Sequence, residues 1–395
     1  MQARSLLQAK GMHLVDTTLF YSPTSGGVKR YLSAKHAWLK ANTSWRHTIV
    51  VPGEMDYIEP GELCTLSGLP VPGTFNYRLP LNPRRWSRLL SALAPTLIEA
   101  GDAFQPAWAA CQVARERGIP IAAFYHSNLP QILGRRFGGG LTERALCRYL
   151  QWLYARFDIV FAPSRFMCEL LNSIGVTHTV YQPLGVDTEV FHPKRRTSGL
   201  RAQLGLSEET RLLVYAGRFA GEKNLSVLLE AFARLGHPYH LLLIGGDRRA
   251  RPTPNVTLQP YRRDSLELAE SIASADALVH AGTKETFGLV LLEAMACGRP
   301  VVAARASAIP EFVDDSVGML AEPCSAASMA DAVAALYDRD LEAVGAIARE
   351  RVLRKFTWTK AFQVQTLAYA SLLCGRRLPV PDAEQSIIEL RSPTL

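Results

Sequence analysis

Short apolar runs alternate with longer amphipathic segments along the whole chain, and that alternation leaves few folds open. Apolar runs bounded by turn residues read as buried strands, and the segments between them carry helical spacing. Together they describe βα units around parallel sheets. In the first half, strands are predicted over 13–18, 47–51, 121–125 and 159–162, with helices over 27–40, 84–100, 105–117, 142–157 and 165–173. A polar stretch at 187–199, containing Pro193, then interrupts the pattern. It restarts with a strand over 212–216 and a helix over 225–235. Strands at 240–244, 277–280 and 301–303 follow, with helices at 266–274, 287–295 and 328–338. The expectation is an α/β chain of two domains, 1–190 and 191–357. A last segment, 358–395, holds a helix over 358–374 and a Pro-containing tail, and is expected to return towards the first domain.

At 395 residues the chain is too long for one ordinary core, which supports the division into two. With 48% hydrophobic and 20% charged residues it lacks the composition of a disordered chain. No uninterrupted apolar run is long enough to span a bilayer, and residues 1–10 lack the apolar core of a secretion signal. The 7 cysteines are scattered, with no Cys-x-x-Cys pair, so reduced thiols in a cytoplasmic protein are expected.

The formal net charge of +8 is unevenly placed. Residues 1–195 hold 21 Lys and Arg against 13 Asp and Glu, whereas residues 196–395 hold 23 of each. A basic first half beside a neutral second half suits an anionic partner, such as an acidic sugar or an anionic membrane surface. Nucleic acid is not expected, because the basic residues are dispersed and no binding module is evident. Two stretches combine basic and aromatic residues: Arg84, Arg85, Trp86 and Arg88, and then Arg144, Arg148, Trp152 and Arg156 at four-residue spacing. Faces of that kind can rest on lipid headgroups, so peripheral contact with the inner face of a membrane is the companion expectation.

Parallel sheets bind ligands in loops beyond the carboxyl ends of their strands, which directs attention to three segments. The first strand is followed by Gly26 and Gly27 at the start of a helix, where backbone can approach an anion closely. Neither a dinucleotide fingerprint nor a Walker loop is present there. After the strand at 212–216, the loop carries Arg218 and Lys223, two cations able to converge on a diphosphate. After the strand at 277–280 comes Thr286-Phe287-Gly288-Leu289, with Glu285 just before the helix and Glu293 about two turns inside it. Leu289, Val290, Leu291 and Leu292 put Glu293 in apolar company, so that carboxylate needs partners. Ligand hydroxyls would serve, as would a structural pairing with Arg299. Asp314 and Asp315 are adjacent rather than spaced and read as a turn, and no metal is expected.

Glu285 and Glu293 form a Glu-x7-Glu motif, and the sequence around them resembles the family 4 retaining glycosyltransferases of the GT-B fold. Gly185-Val186-Asp187 with Phe191 and Pro193 is similar to that family's segment between domains. Gly217-Arg218-Phe219 with Glu222-Lys223-Asn224 is similar to its phosphate loop, and Gly26-Gly27 to its N-terminal glycine loop. The resemblance implies two Rossmann-like domains facing a cleft, the first binding the acceptor and the second a nucleotide sugar. It implies that Arg218 and Lys223 hold the donor diphosphate, that Glu293 accepts from ribose hydroxyls and that Glu285 accepts from hydroxyls of the sugar. The amides of Phe287 and Gly288 would orient the sugar, Gly27 would face the diphosphate, and His126 would lie beside the donor sugar. Two departures stand out: His280-Ala281 replaces a common Pro-Ser, and Arg305-Ala306-Ser307 replaces a Gly-Gly loop.

The implied reaction transfers a sugar from a UDP- or GDP-sugar to an acceptor hydroxyl with retention, needing no cofactor beyond that co-substrate. Domain closure about 187–199 would exclude water. A lipid or lipid-linked glycan fits the basic first half as acceptor. A soluble enzyme for a small molecule or polysaccharide, and a catalytically silent nucleotide-sugar binder, are the alternatives.

Overall fold

The computed structural model describes residues 11–22, 26–72, 74, 76–134, 139–246 and 254–375. The expectations for residues 1–10 and for the tail at 376–395 lie outside them. The described residues form two compact units. One comprises the residues up to Pro183 together with those from Trp358 onward, and the other Leu184–Thr357. The first unit thus ends at Pro183, ahead of the polar stretch at 187–199.

The first unit holds strands β1 (His13–Thr17), β2 (Arg46–Gly53), β3 (Leu63–Ser67), β4 (Leu97–Ala100), β5 (Ile121–Phe124), β6 (Ile159–Ala162) and β7 (Thr179–Tyr181). They make one parallel sheet in the order β3-β2-β1-β4-β5-β6-β7. Around it lie helices α1 (Gly27–Asn42), α2 (Arg84–Ala92), α3 (Gln105–Arg117), α4 (Leu129–Gly134), α5 (Gly140–Tyr154) and α6 (Arg165–Ser173). The second unit has strands β8 (Arg211–Ala216), β9 (Tyr239–Ile244), β10 (Val256–Gln259), β11 (Ala277–His280), β12 (Val301–Ala304) and β13 (Gly318–Ala321). Their order is β10-β9-β8-β11-β12-β13, again all parallel. Helices α7 (Gly199–Gln203), α8 (Leu225–Leu235), α9 (Ser265–Ser274), α10 (Leu289–Ala296), α11 (Ala326–Leu336) and α12 (Leu341–Lys355) belong to it. Helix α13 (Trp358–Leu373) belongs to the first unit.

Each unit has its own apolar core. Val15, Val50, Ile98 and Val160 contribute to one, and Leu213, Leu241, Val279 and Val302 to the other. In both sheets the strand order reverses beside the first strand of the unit, between β1 and β4 and between β8 and β11. Such reversals open a crevice at the strands' carboxyl ends. Val186 forms a parallel bridge with Thr357, and its amide donates to the Phe356 carbonyl at 2.9 Å. The chain therefore comes into the second unit and leaves it at one place.

The single helix predicted over 84–100 is not formed. Helix α2 stops at Ala92, Ala94 takes φ 48°, and 97–100 is the buried strand β4. Leu97 continues the spacing of Leu89, Leu90 and Leu93, but Pro95 cannot continue a helix. The basic–aromatic face predicted there is also absent: Trp86 is fully buried, and Arg85 pairs with Asp56. In the second such stretch Trp152 is exposed and the Arg156 guanidinium lies 3.8 Å from its ring centre, although Arg156 falls beyond the end of α5. Among the described residues no helix is long and apolar enough to cross a membrane.

Strand β4 carries a feature that the helix reading hid. Glu99 is buried and meets Lys35 of α1, whose ammonium, 1% exposed, also lies 2.9 Å from Asp16 of β1. Tyr369 of α13 donates to Glu99 and accepts from Lys35, and Gln365 reaches the Tyr31 hydroxyl, so the network fastens α13 to the sheet. Burial raises the Asp16 carboxyl, yet Lys35 and His47 bring it down to about 2. Burial dominates at Glu99 and pushes it up.

Candidate active site

The loops after β8 and β11 meet at the reversal point of the second sheet. The loop after β8 runs through a turn of 3-10 helix, Gly221–Lys223, to Asn224, which takes φ 49°. The Asn224 side-chain amide donates to the Ala281 carbonyl at 3.1 Å and to the Thr283 hydroxyl at 3.3 Å, stitching the two loops together. A Cβ on Gly245, just after β9, would lie 1.9 Å from the Gly217 carbonyl oxygen, so only glycine lets these backbones pass.

This arrangement sets the Lys223 ammonium against the Glu285 carboxylate, both side chains mostly buried. Glu285 also receives the His280 ring, whose Nε2 lies 3.1 Å from Oε1. Burial pushes the Glu285 carboxyl up, but the Lys223 charge and the His280 hydrogen bond outweigh it and hold the group well below the usual carboxylate range. The carboxylate is therefore an anion and an acceptor at any working pH. Arg218 is about half exposed, and its guanidinium stands 4.0 Å from Glu222.

The helix predicted from residue 287 begins two residues later. Gly288 is the N-cap of α10 with φ 92°, a conformation that favours glycine, and Phe287 is buried against Phe312 at 4.6 Å between ring centres. In the first turn of α10 the Leu291 amide donates to the Gly288 carbonyl at 2.9 Å, while the Leu289 and Val290 amides precede any partner within the helix. Glu293, in the same helix, is 2% exposed, and Arg299 pairs with Glu342 at 3.2 Å. The departing loop at 305–310 explains itself locally. Ser307 takes φ 50°, where a glycine would be unstrained, and its hydroxyl donates to the Thr283 carbonyl at 2.7 Å. One Asp-x-Asp spacing does occur, Asp338-Arg339-Asp340, and the sequence reading passes over it. Asp340 caps α12, accepting from the Glu342 and Ala343 amides at 3.0 Å, so the pair marks a helix start.

In the first unit, Gly26 is the N-cap of α1, with Gly27 the first helical residue. A Cβ added at Gly26 would meet nothing within 4 Å among the described residues, so their packing gives no reason for glycine there. His126 follows β5, stacked on Phe124 with ring centres 4.2 Å apart and planes 12° apart. Burial, then the Lys35 charge, lower its ring to about 3, which keeps the imidazole neutral. Beside it is a small cavity lined by Phe20, Gly101, Asp102, Phe104, His126 and Tyr154. Burial raises the Asp102 carboxyl to about 6, against hydrogen bonds from the Leu19 and Phe104 amides.

Two parallel-sheet units, each reversing strand order beside its first strand, define the GT-B class. The sucrose-phosphate synthase of Thermosynechococcus elongatus has this fold, with a TM-score of 0.77 over 92% of this chain and 100% of that one at 21% identity. Residues 25–190 match the family model described as Glycosyltransferase Family 4, and residues 210–339 the one described as Glycosyl transferases group 1. A GDP-mannose-dependent alpha-(1-6)-phosphatidylinositol dimannoside mannosyltransferase of Mycobacterium tuberculosis is 31% identical over 371 residues, covering 89% of this chain and 94% of its own. The sulfoquinovosyl transferase SQD2 of Arabidopsis thaliana is 29% identical over 73% of this chain and 60% of its own. The chain belongs to glycosyltransferase family 4 and is a glycosyltransferase.

Arg218, Lys223 and Glu285 were legible because they follow strands, Glu293 because its helix neighbours are apolar, and Phe287 and Gly288 through the family resemblance. The sequence reading named Asn224 and Ser307 only as members of their loops, missed Gly245, and did not foresee that His280 touches Glu285. A polar residue ending an apolar strand was the available signal for His280.

Proposed function

We propose that the protein is a retaining, metal-independent hexosyltransferase that moves a sugar from a nucleoside-diphosphate donor to an acceptor hydroxyl. The observation that carries this reading is the Lys223–Glu285 pair at the reversal point of the second sheet, together with the buried Glu293 of α10. Cleavage of the donor builds negative charge on the leaving diphosphate, which Lys223, Arg218 and the α10 N-terminus are suited to stabilise in place of a metal. Glu285 accepts from sugar hydroxyls and Glu293 from the ribose. Gly26, Gly27 and His126 keep the roles that the family implies. No carboxylate is assigned as a covalent nucleophile; the leaving phosphate helps to deprotonate the acceptor on the same face of the sugar.

GDP-mannose is the first donor to test and a lipid or lipid-linked glycan the first acceptor, because the mycobacterial relative combines them. The decisive experiment is thermal unfolding against UDP, GDP, ADP and their sugar conjugates in the presence of chelator. A ligand at 100 times its Kd adds about 2.7 kcal/mol of stability. GDP and GDP-mannose are expected to raise Tm selectively and Glu293→Ala to remove most of the rise; no shift from any nucleotide would refute the donor assignment. Peripheral membrane association is proposed through Arg144, Arg148, Trp152 and Arg156, and flotation with anionic but not neutral vesicles is the expected result.

A further inference from the structure

His280 ends β11, and its side chain is 2% exposed. Both ring nitrogens are committed. Nδ1 accepts from the Gly282 amide at 3.1 Å, so it carries no proton, and the ring proton sits on Nε2, aimed at Glu285 Oε1 3.1 Å away. Lys223 donates to the same oxygen. Among the described residues both donors to this carboxylate are therefore on Oε1, and none is placed on Oε2. The position of the ring is set by sterics as well. A Cβ on Gly282 would lie 2.4 Å from His280 Cε1 and 3.2 Å from Glu285 Oε1, so the turn after β11 must be glycine for the ring to stay.

We propose that His280 is a positioning residue for sugar transfer: its Nε2–H pins Glu285 Oε1 and thereby presents Oε2 to a hydroxyl of the donor sugar. The proposal rests on the reading of Glu285 as the sugar-binding carboxylate. A carboxylate held by Lys223 alone can turn about its last torsion, because an ammonium is a point charge without directional preference. A second donor, fixed in a buried ring, removes that freedom. Lys223 can then serve the diphosphate without releasing Glu285.

The test compares His280→Phe, which keeps the ring and loses the donor, with His280→Gln, whose amide N–H can take the place of Nε2–H. Release of nucleoside diphosphate from the sugar nucleotide is followed alongside binding of the nucleoside diphosphate alone. His280→Phe is expected to lower kcat about 10- to 100-fold, as misplaced groups do, with nucleoside diphosphate affinity within about twofold of wild type. His280→Gln is expected to recover most of that loss, and Gly282→Ala to behave like His280→Phe. Unchanged kcat in His280→Phe overturns the proposal, and so does a loss that His280→Gln fails to repair, which would mark a packing role. If wild type releases nothing from any sugar nucleotide, the reading of the site fails instead. The His280–Glu285 bond is then judged by ring nitrogen shifts in 15N-histidine-labelled protein. A protonated Nδ1, or no response of Nε2 to Glu285→Gln, overturns it.

Discussion

Lys35→Met is expected to destabilise the protein by about 3–5 kcal/mol, because it leaves two buried carboxylates, Asp16 and Glu99, without their shared cation. Domains hold only about 5–15 kcal/mol in total, so a substantial part of the stability of the first unit depends on this side chain. Chemical denaturation at about pH 7 measures the loss directly, and a change under about 1 kcal/mol would refute the account. The pH dependence gives a second check. In the intact network Asp16 is held down at about 2, below its unfolded value near 4, so its contribution is present above about pH 4 and is lost only under stronger acid. Glu99 already lies above its unfolded value in the intact network, and without Lys35 burial raises it further. With only His47 left to oppose burial, Asp16 is expected to rise above its unfolded value as well. The folded form then keeps protons that the unfolded form releases, and stability rises as pH falls. The gap between wild type and Lys35→Met is therefore expected to narrow from about pH 7 to about pH 5.

Lys223→Ala is expected to reduce turnover about 10²–10³-fold while changing nucleoside-diphosphate affinity much less. The charge that Lys223 answers is larger in the transition state than in the bound donor, so its loss should fall on kcat rather than on KM. Steady-state kinetics with the donor identified by thermal unfolding will separate the two. A loss confined to KM would assign Lys223 to ground-state binding. Arg218, about half exposed and already near Glu222, should cost less when removed than the enclosed Lys223.

How much of this was legible depends on where each interaction closes. Strands β1, β2, β5, β6, β8, β9, β11 and β12 announce themselves as apolar runs between turn signals. Strands β3, β7, β10 and β13 do not: each lies at the edge of its sheet with a single strand neighbour, and its run is less uniformly buried. β4 was hidden because Leu97 keeps step with the leucines of α2, and because a glutamate inside a strand argues for helix until its lysine is known. That lysine is 64 positions away. Helix α12 was also missed, its alanines and charges giving too weak an apolar stripe. The charged residues of the site were readable because a strand–loop–helix grammar places them at strand ends, where ligands bind. His280 was noticed only as a departure from the family pattern. Its role depends on which ring nitrogen meets a backbone amide, and no spacing encodes that.

The bridge between Val186 and Thr357 has a consequence for ancestry. Because its two chain connections lie side by side, the stretch from Leu184 to Thr357 is built like a cassette spliced into its host. Such a piece can be lengthened, shortened or exchanged while the host keeps its strand order, since the two cut ends never have to move apart. Recombination across that single seam would exchange the whole unit that carries Lys223 and Glu285 without rebuilding the sheet of its host.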